Sequence, residues 1–293
     1  MASENQEGLV IKLYGGFYYV QNSRGLVYEC RLRGKLREPV LGGDRVTITV
    51  LEEGRGILES ILPRRNQLYR PRIANVDLAL IVMANDRPAP SVALLDRLLF
   101  LSFYHKISPV IVLNKCDLPE DSRAANLRSY YPAAGFQFLA TSVETGEGIE
   151  RLSEIIDNQV AVLAGPSGCG KSSLLNLLVA AHTKTGQVSE KIGRGRHTTR
   201  HVELFPLTGG GLLADSPGFS VLDLPQMDSR DLADYYPDFI EYTADCRFDD
   251  CLHYRENECG VKKAYAEGKI ADFRYQNYVV MLEEVMKNER CYR

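Results

Sequence analysis

The run GPSGCGKSS at 165–173 narrows the architecture of this chain more than any other stretch. Gly165 to Ser172 has the spacing Gly, four residues, Gly-Lys-Ser, and it sits between the apolar stretch QVAVLAG (159–165) and a helical pattern from Lys171 to about Ala181. Strand, glycine-rich loop and helix in that order make a phosphate grip. The glycines let consecutive backbone N–H groups turn onto phosphate oxygens, Lys171 adds a point charge at the outer phosphates, and the helix N-terminus adds its partial positive charge. The binding loop is then Gly165, Pro166, Ser167, Gly168, Cys169, Gly170, Lys171, Ser172 and Ser173, with the Ser172 hydroxyl directed at magnesium.

Such a loop needs a parallel sheet, and the neighbouring sequence supplies one. VDLALIVMA (76–84) and PVIVLNKCD (109–117) are continuous apolar runs of buried parallel-strand type, with a helical pattern at 91–106 between them. Further strands are expected at 136–141 and near 202–207 and 211–215, and a further helix at 148–158. The last strand ends in GGGLLADSPGF (209–219), which offers Asp215 to orient magnesium and the Gly218 N–H to a γ-phosphate. KIGRGRHTTRH (191–201) carries Thr198 and Thr199, either of which can give magnesium a second hydroxyl; Thr199 is the one taken here.

NKCD at 114–117 reads a base. The two carboxylate oxygens of Asp117 can accept from guanine N1–H and its 2-amino group, where adenine offers no donor, so GTP is chosen over ATP. Asn114 can bond the base edge and tie this loop to the phosphate loop, and the stem of Lys115 can lie over the ring. TSVETGEG (141–148) follows the next strand and offers a backbone N–H to guanine O6 at Ser142 or Val143. The order is base reader, base loop, phosphate loop, threonine segment, Asp-x-x-Gly. That is a circular rotation of the common order, which a pocket defined in space permits when the original chain ends lie close together.

The flanks differ from this centre, and 293 residues suffice for three parts. Residues 8–62 alternate apolar and polar in five short runs parted by glycine turns, which suits a small closed barrel, OB-like in preference to SH3-like. PRRNQLYRPR (63–72) reads as a linker. From about 226 the chain becomes helical and carries Cys246, Cys251, His253 and Cys259, spaced by four, one and five residues. Three thiolates and an imidazole fill a zinc tetrahedron, so the metal is structural and holds together a segment too short to fold on its own apolar burial. The expected division is 1–63, barrel; 64–225, nucleotide domain; 226–293, mostly helical zinc domain.

The start lacks a basic segment followed by an apolar run, and no stretch reaches the eighteen or so apolar residues that span a bilayer, so a cytoplasmic protein without membrane contact is expected. A net charge of −3 excludes nucleic-acid binding by overall field. Positive charge is local instead, at Arg31, Arg33, Lys35 and Arg37, in the arginines of 63–72, and at Lys191, Arg194, Arg196 and Arg200. With Tyr14, Phe17, Tyr18, Tyr19 and Tyr28 near the first group, a barrel face for RNA backbone and base stacking is expected.

Taken together, NKCD, GPSGCGKSS, GRGRHTT at 193–199, DSPGF at 215–219 and the Cys/His spacing resemble the circularly permuted bacterial GTPases called ribosome small-subunit-dependent GTPase A, the RsgA, YjeQ or YloQ family. The resemblance spans essentially the whole chain. It implies an OB domain, a permuted GTPase domain and a zinc domain. It also implies action late in maturation of the small (30S) ribosomal subunit, contact with its 16S rRNA, and GTP hydrolysis to GDP stimulated by the subunit. A monomer is expected. The position after Asp-x-x-Gly, where a glutamine often orients the attacking water, is Phe219. His197 is similar to the family's proposed replacement; either it or the partner positions the water. The competing reading is a GTP-dependent RNA-binding scaffold with incidental hydrolysis.

Overall fold

The computed structural model describes residues 5–34, 38–52, 54–69, 72–182, 203–207, 211–215 and 223–291. Strands β1 (Asn5–Tyr14), β2 (Phe17–Asn22), β3 (Val27–Leu32), β4 (Arg45–Glu52) and β5 (Arg55–Ile61) close into a barrel in the order β1-β2-β3-β5-β4. Neighbours are antiparallel except β3 and β5, which run parallel with Cys30 opposite Gly56. This is the OB-like closure. Val10, Val20, Tyr28, Cys30, Val46, Ile48 and Leu58 fill its interior. A register shift in β1 between Val10 and Lys12 breaks the strict alternation. Val10 enters the barrel core while the adjacent Ile11 enters the core of the neighbouring sheet, so one strand serves two cores.

The segment expected to be a linker is stitched down. It forms the hairpin β6 (Gln67–Tyr69) and β7 (Arg72–Ala74), and its side chains bond in both directions. Arg64 donates through Nε and Nη2 to the carboxylate of Asp44, at 2.7 and 2.8 Å, and also reaches Glu38, Gln67 and the carbonyl of Pro39. Asn66 and Val76 exchange two bonds of 2.7 and 2.8 Å, and Asn75 Nδ2 donates to Gly43 O. Arg64 and Arg65, which made the run look like solvated linker, have acidic partners 12 to 26 positions away, out of reach of local pattern.

The central sheet has β8 (Leu78–Ala84), β9 (Ser108–Asn114), β10 (Phe138–Ala140), β11 (Val160–Ala164), β12 (Glu203–Pro206) and β13 (Leu212–Asp215), in the order β10-β9-β8-β11-β13-β12. All pairs are parallel except β12 with β13. Helices α1 (Val92–Tyr104) and α2 (Ser122–Ala133) cover one face, α3 (Ile149–Ile156) and α4 (Lys171–His182) the other. Along the strands Ile81, Met83, Ile111, Leu113 and Val162 face the first pair, and Leu80, Val82, Val110, Val112 and Leu163 the second. Both faces are covered, which is why these strands read as unbroken apolar runs.

Helix α2 escaped the apolar pattern because it buries only Ala124, Leu127 and Tyr131, and carries Pro132 in its last turn. Its start is local chemistry: the Asp121 side chain accepts from Arg123 N.

The C-terminal part comprises a 3₁₀ helix, Ser229–Tyr235, then α5 (Pro237–Thr243), α6 (Gly260–Ala266) and α7 (Asp272–Cys291). It packs on the outer side of α1, where Phe100 and Leu101 meet Leu232, Tyr236, Phe239, Tyr278 and Leu282. Arg97 of α1 pairs with Glu284 of α7 through two contacts of 2.7 and 2.5 Å. On the other side, the barrel meets β12 at Gly42, where a Cβ would lie 2.3 Å from Leu204 Cδ1.

Candidate functional site

NKCD and GPSGCGKSS leave the carboxyl ends of β9 and β11, with β8 between them. Gly165 leaves β11 at φ +131°, and a Cβ there would lie 2.1 Å from Val82 O. Gly170, at φ +98°, lies against Asn114, whose Nδ2 would be 2.2 Å from a Cβ. Asn114 is 1% exposed; its Nδ2 donates to Cys169 O at 3.0 Å and its Oδ1 accepts from Thr141 Oγ1 at 3.2 Å. Asp117 Oδ1 accepts from the buried Ser142 at 2.5 Å, and Cys116 N donates to Thr141 O. Three loops that are far apart in sequence are thus held in one network.

Within the phosphate loop, Lys171 Nζ donates to the carbonyls of Gly165 and Pro166 at 2.9 and 2.6 Å, which keeps the ammonium over the loop. Ser167, Gly168, Ser172 and Ser173 are exposed, the two last in the first turn of α4. Cys169 lies buried beneath, and burial pushes its thiol up. Val143 packs partly buried against the core under α3. Asp215 ends β13 and pairs in register with Leu163, one strand from the phosphate loop. His197, Thr198, Thr199, Gly218 and Phe219 lie outside the described residues.

One segment was not singled out in the sequence. Residues 85–90, NDRPAP, follow β8 and fill the space between the two motifs. Asn85 N donates to Asn114 O at 2.7 Å, Asn85 Nδ2 to Leu118 O at 2.9 Å, and Lys115 Nζ to Arg87 O. Pro88 Cδ is 3.6 Å from where a Cβ of Gly168 would stand. The available signal was a polar, proline-rich run at the carboxyl end of a parallel strand, where ligands bind.

The four metal-ligand candidates converge. One donor atom from each of Cys246, Cys251, His253 and Cys259 lies within 4.8 Å of the others. The first turn of α6 points its N–H groups at them: Gly260 N donates to Cys246 Sγ and Lys262 N to Cys259 Sγ. Tyr275 and Tyr278 of α7 donate to the carbonyls of His253 and Leu252, both at 2.8 Å, and the Glu256 carboxylate accepts from Leu252 N and Tyr254 N. Burial pushes the Cys251 thiol up to about 12 and raises Cys259, while it lowers His253 and so keeps the imidazole neutral. Thiols that burial keeps protonated would give up their protons to a cation, and a Cys₃His set held by N–H donors fits zinc.

The charged barrel surface divides. The Arg31 guanidinium lies 4.8 Å from the Phe17 ring centre, and Lys12 Nζ is 5.5 Å from both Tyr14 and Tyr19. Tyr14 is exposed, but Tyr28 belongs to the core, Arg33 pairs with Glu59, and Arg64 is committed to Asp44. Lys35, Arg37, Arg70 and the basic residues at 191–200 lie outside the described residues.

A family model described as RsgA GTPase matches residues 61–225, and one described as RsgA N-terminal domain matches residues 7–58. A small ribosomal subunit biogenesis GTPase RsgA of Carboxydothermus hydrogenoformans is 46% identical over 291 residues, covering 97% of this chain and 99% of its own. The protein of that name from Moorella thermoacetica is 46% identical over 290 residues, covering 98% and 99%. Among solved structures, YjeQ from Thermotoga maritima superposes with a TM-score of 0.82 at 34% identity, covering 97% of this chain and 99% of its own. YloQ, described as a circularly permuted GTPase, gives 0.83 at 35% identity, covering 97% and 96%.

Proposed function

The chain belongs to the RsgA GTPase family, and from that premise we propose that it hydrolyses GTP to GDP and phosphate in the biogenesis of the small (30S) ribosomal subunit. It acts late in the maturation of that subunit, as a monomer in the cytoplasm, touching the 16S rRNA and stimulated by the particle. Among the described residues no helix is long and apolar enough to cross a membrane. We divide the chain at 63/64 and 225/226 into an RNA-binding barrel, a permuted GTPase domain and a zinc domain.

In this reading Asp117 accepts from guanine N1–H and the 2-amino group, held in place by Ser142. Asn114 and Lys115 frame the ring, and a backbone N–H at Ser142 or Val143 meets O6. The loop from Gly165 to Ser173 wraps the phosphates, and Lys171 exchanges its loop carbonyls for phosphate oxygens. Ser172, Asp215 and Thr199 are the residues that would hold magnesium, which when bound neutralises charge on the outer phosphates. Gly218 N–H bonds the γ-phosphate, and His197 orients the attacking water. Cys246, Cys251, His253 and Cys259 hold one structural zinc ion.

What supports the reading most directly is the bond from Asn114 Nδ2 to Cys169 O, which joins a base loop to a phosphate loop 55 positions later in the chain. Calorimetric titration with GTP and ATP tests it, and Asp117→Asn is expected to weaken GTP binding about 100-fold or more, because its amide puts a donor against donors. Equal affinity for ATP, or a preference untouched by Asp117→Asn, overturns it. Turnover measured with and without purified small subunits tests the partner, and the absence of stimulation would favour a scaffold.

A further inference from the structure

Asp96, in α1, and Arg274, in α7, are 178 positions apart and both lie within 1% of complete burial. Arg274 Nη1 donates to Asp96 Oδ1 at 2.7 Å, while Nε and Nη2 donate to the two oxygens of Asp238 in α5 at 2.9 and 2.8 Å. Asp96 also accepts from Tyr131 of α2 at 2.5 Å and from Asn277 Nδ2 at 2.6 Å, and Asp238 accepts from Tyr130 at 2.8 Å. The guanidinium centre lies 4.2 Å from the ring centre of Tyr236. One side chain of the C-terminal part therefore holds both helices on one face of the central sheet.

Holding by buried charge is a poor way to gain stability, since desolvation offsets most of the attraction and an apolar cluster does as well. An apolar cluster already joins α1 to the C-terminal helices, at Phe100, Phe239 and Leu282. What directional bonds add is a fixed placement. Helix α1 is capped by Ser91, about one turn and a half before Asp96, directly after the residues 85–90 that bond to Asn114 and Lys115 and lie against Gly168. Helix α2 is capped by Asp121, whose N–H donates to Asn85 O. A rotation or slip of α1 and α2 would reach the base loop and the phosphate loop within two turns.

We propose that Arg274 is a positioning residue for the guanine-nucleotide site, setting α1 and α2 and through them the wall formed by residues 85–90. This rests on the assignment of that site made above. Its consequence is reciprocal: whatever displaces α7 changes the hold on nucleotide, and bound nucleotide stiffens the seat of α7.

The test is the release rate of a fluorescent GDP analogue from full-length variants, with zinc content and thermal transition recorded beside it. Arg274→Met is expected to speed release about tenfold. The combined Asp96→Asn, Asp238→Asn, Arg274→Met variant leaves no charge unpaired; it is expected to fold and still release faster. Asn277→Ala deletes one bond and keeps the ion pairs, with an expected acceleration of about two- to fivefold. Ile48→Ala, in the barrel core away from α1 and α7, controls for general loosening: it lowers the transition and leaves release unchanged. Wild-type release from folded Asn277→Ala or from the folded triple variant overturns the proposal, as does equal acceleration by Ile48→Ala. A wild-type protein without guanine preference sinks the site assignment instead, which the same assay shows with an adenine analogue.

Discussion

At Gly170 the missing side chain matters to the proposed base reading as much as the carboxylate of Asp117 does. A methyl group there would lie 2.2 Å from Asn114 Nδ2 and push away the amide that bonds Cys169 O. Ser142 works from the other side, on Asp117 Oδ1. Ser142→Ala should weaken GTP binding about fivefold, the worth of one such bond, and leave ATP binding unaffected; fluorescence titration with both nucleotides checks this. The two motifs stood out in the sequence because their chemistry is local, NKCD and GPSGCGKSS each lying next to a strand end that fixes its direction; the approach of Gly170 to Asn114 and the Ser142 hydroxyl on Asp117 did not, because the fold brings those partners together. Arg274 was not legible. In the sequence it is one more cation on a helix, and its burial exists only because Asp96 and Asp238 come to it from elsewhere.

Among the elements, the Cys/His loop shows how a short segment is kept in shape before any ion is considered. The Glu256 carboxylate accepts from Leu252 N and Tyr254 N. Burial pushes this carboxyl up, but the backbone N–H groups outweigh it and hold it below the ordinary carboxylate value. A folded value below the unfolded one means that the contribution to stability is present above the unfolded pKa and is lost as the pH falls through the folded value. Glu256→Gln should therefore cost about 1 kcal/mol at neutral pH. The gap to wild type should close below about pH 4, in thermal melts of the two proteins taken from pH 7 downward. The loop itself could be read from Cys and His spacing. Helix α2 could not, since a stripe of three buried residues is too thin to stand out, and what anchors it is Tyr130 and Tyr131 bonding acids on other helices.

For the molecule as a whole, the joints are firmer than their composition suggests. Arg64 fills the carboxylate of Asp44, which has no exposure to water. Arg64→Ala would strand that charge at a cost of about 3 kcal/mol, expected as a separate, earlier melting of the barrel and new proteolytic cleavage near 63–76. Three parts were readable from changes in period along the chain, and their order from the motifs. Their attachment was not, because it depends on partners brought together only by the fold, such as Leu204 seated over Gly42.

The rotated chain order also decides how this protein bears tension. The barrel feeds β8 at its amino end, and β13 leads toward the C-terminal helices from its carboxyl end, with both strands parallel to β11 between them. A pull on the two flanking parts thus draws the strands lengthwise past each other and strains every rung of two ladders at once. The catalytic half of the molecule is built to resist stretching between its attachments, as a rope splice does, where a chain that entered and left at the same end would peel open rung by rung.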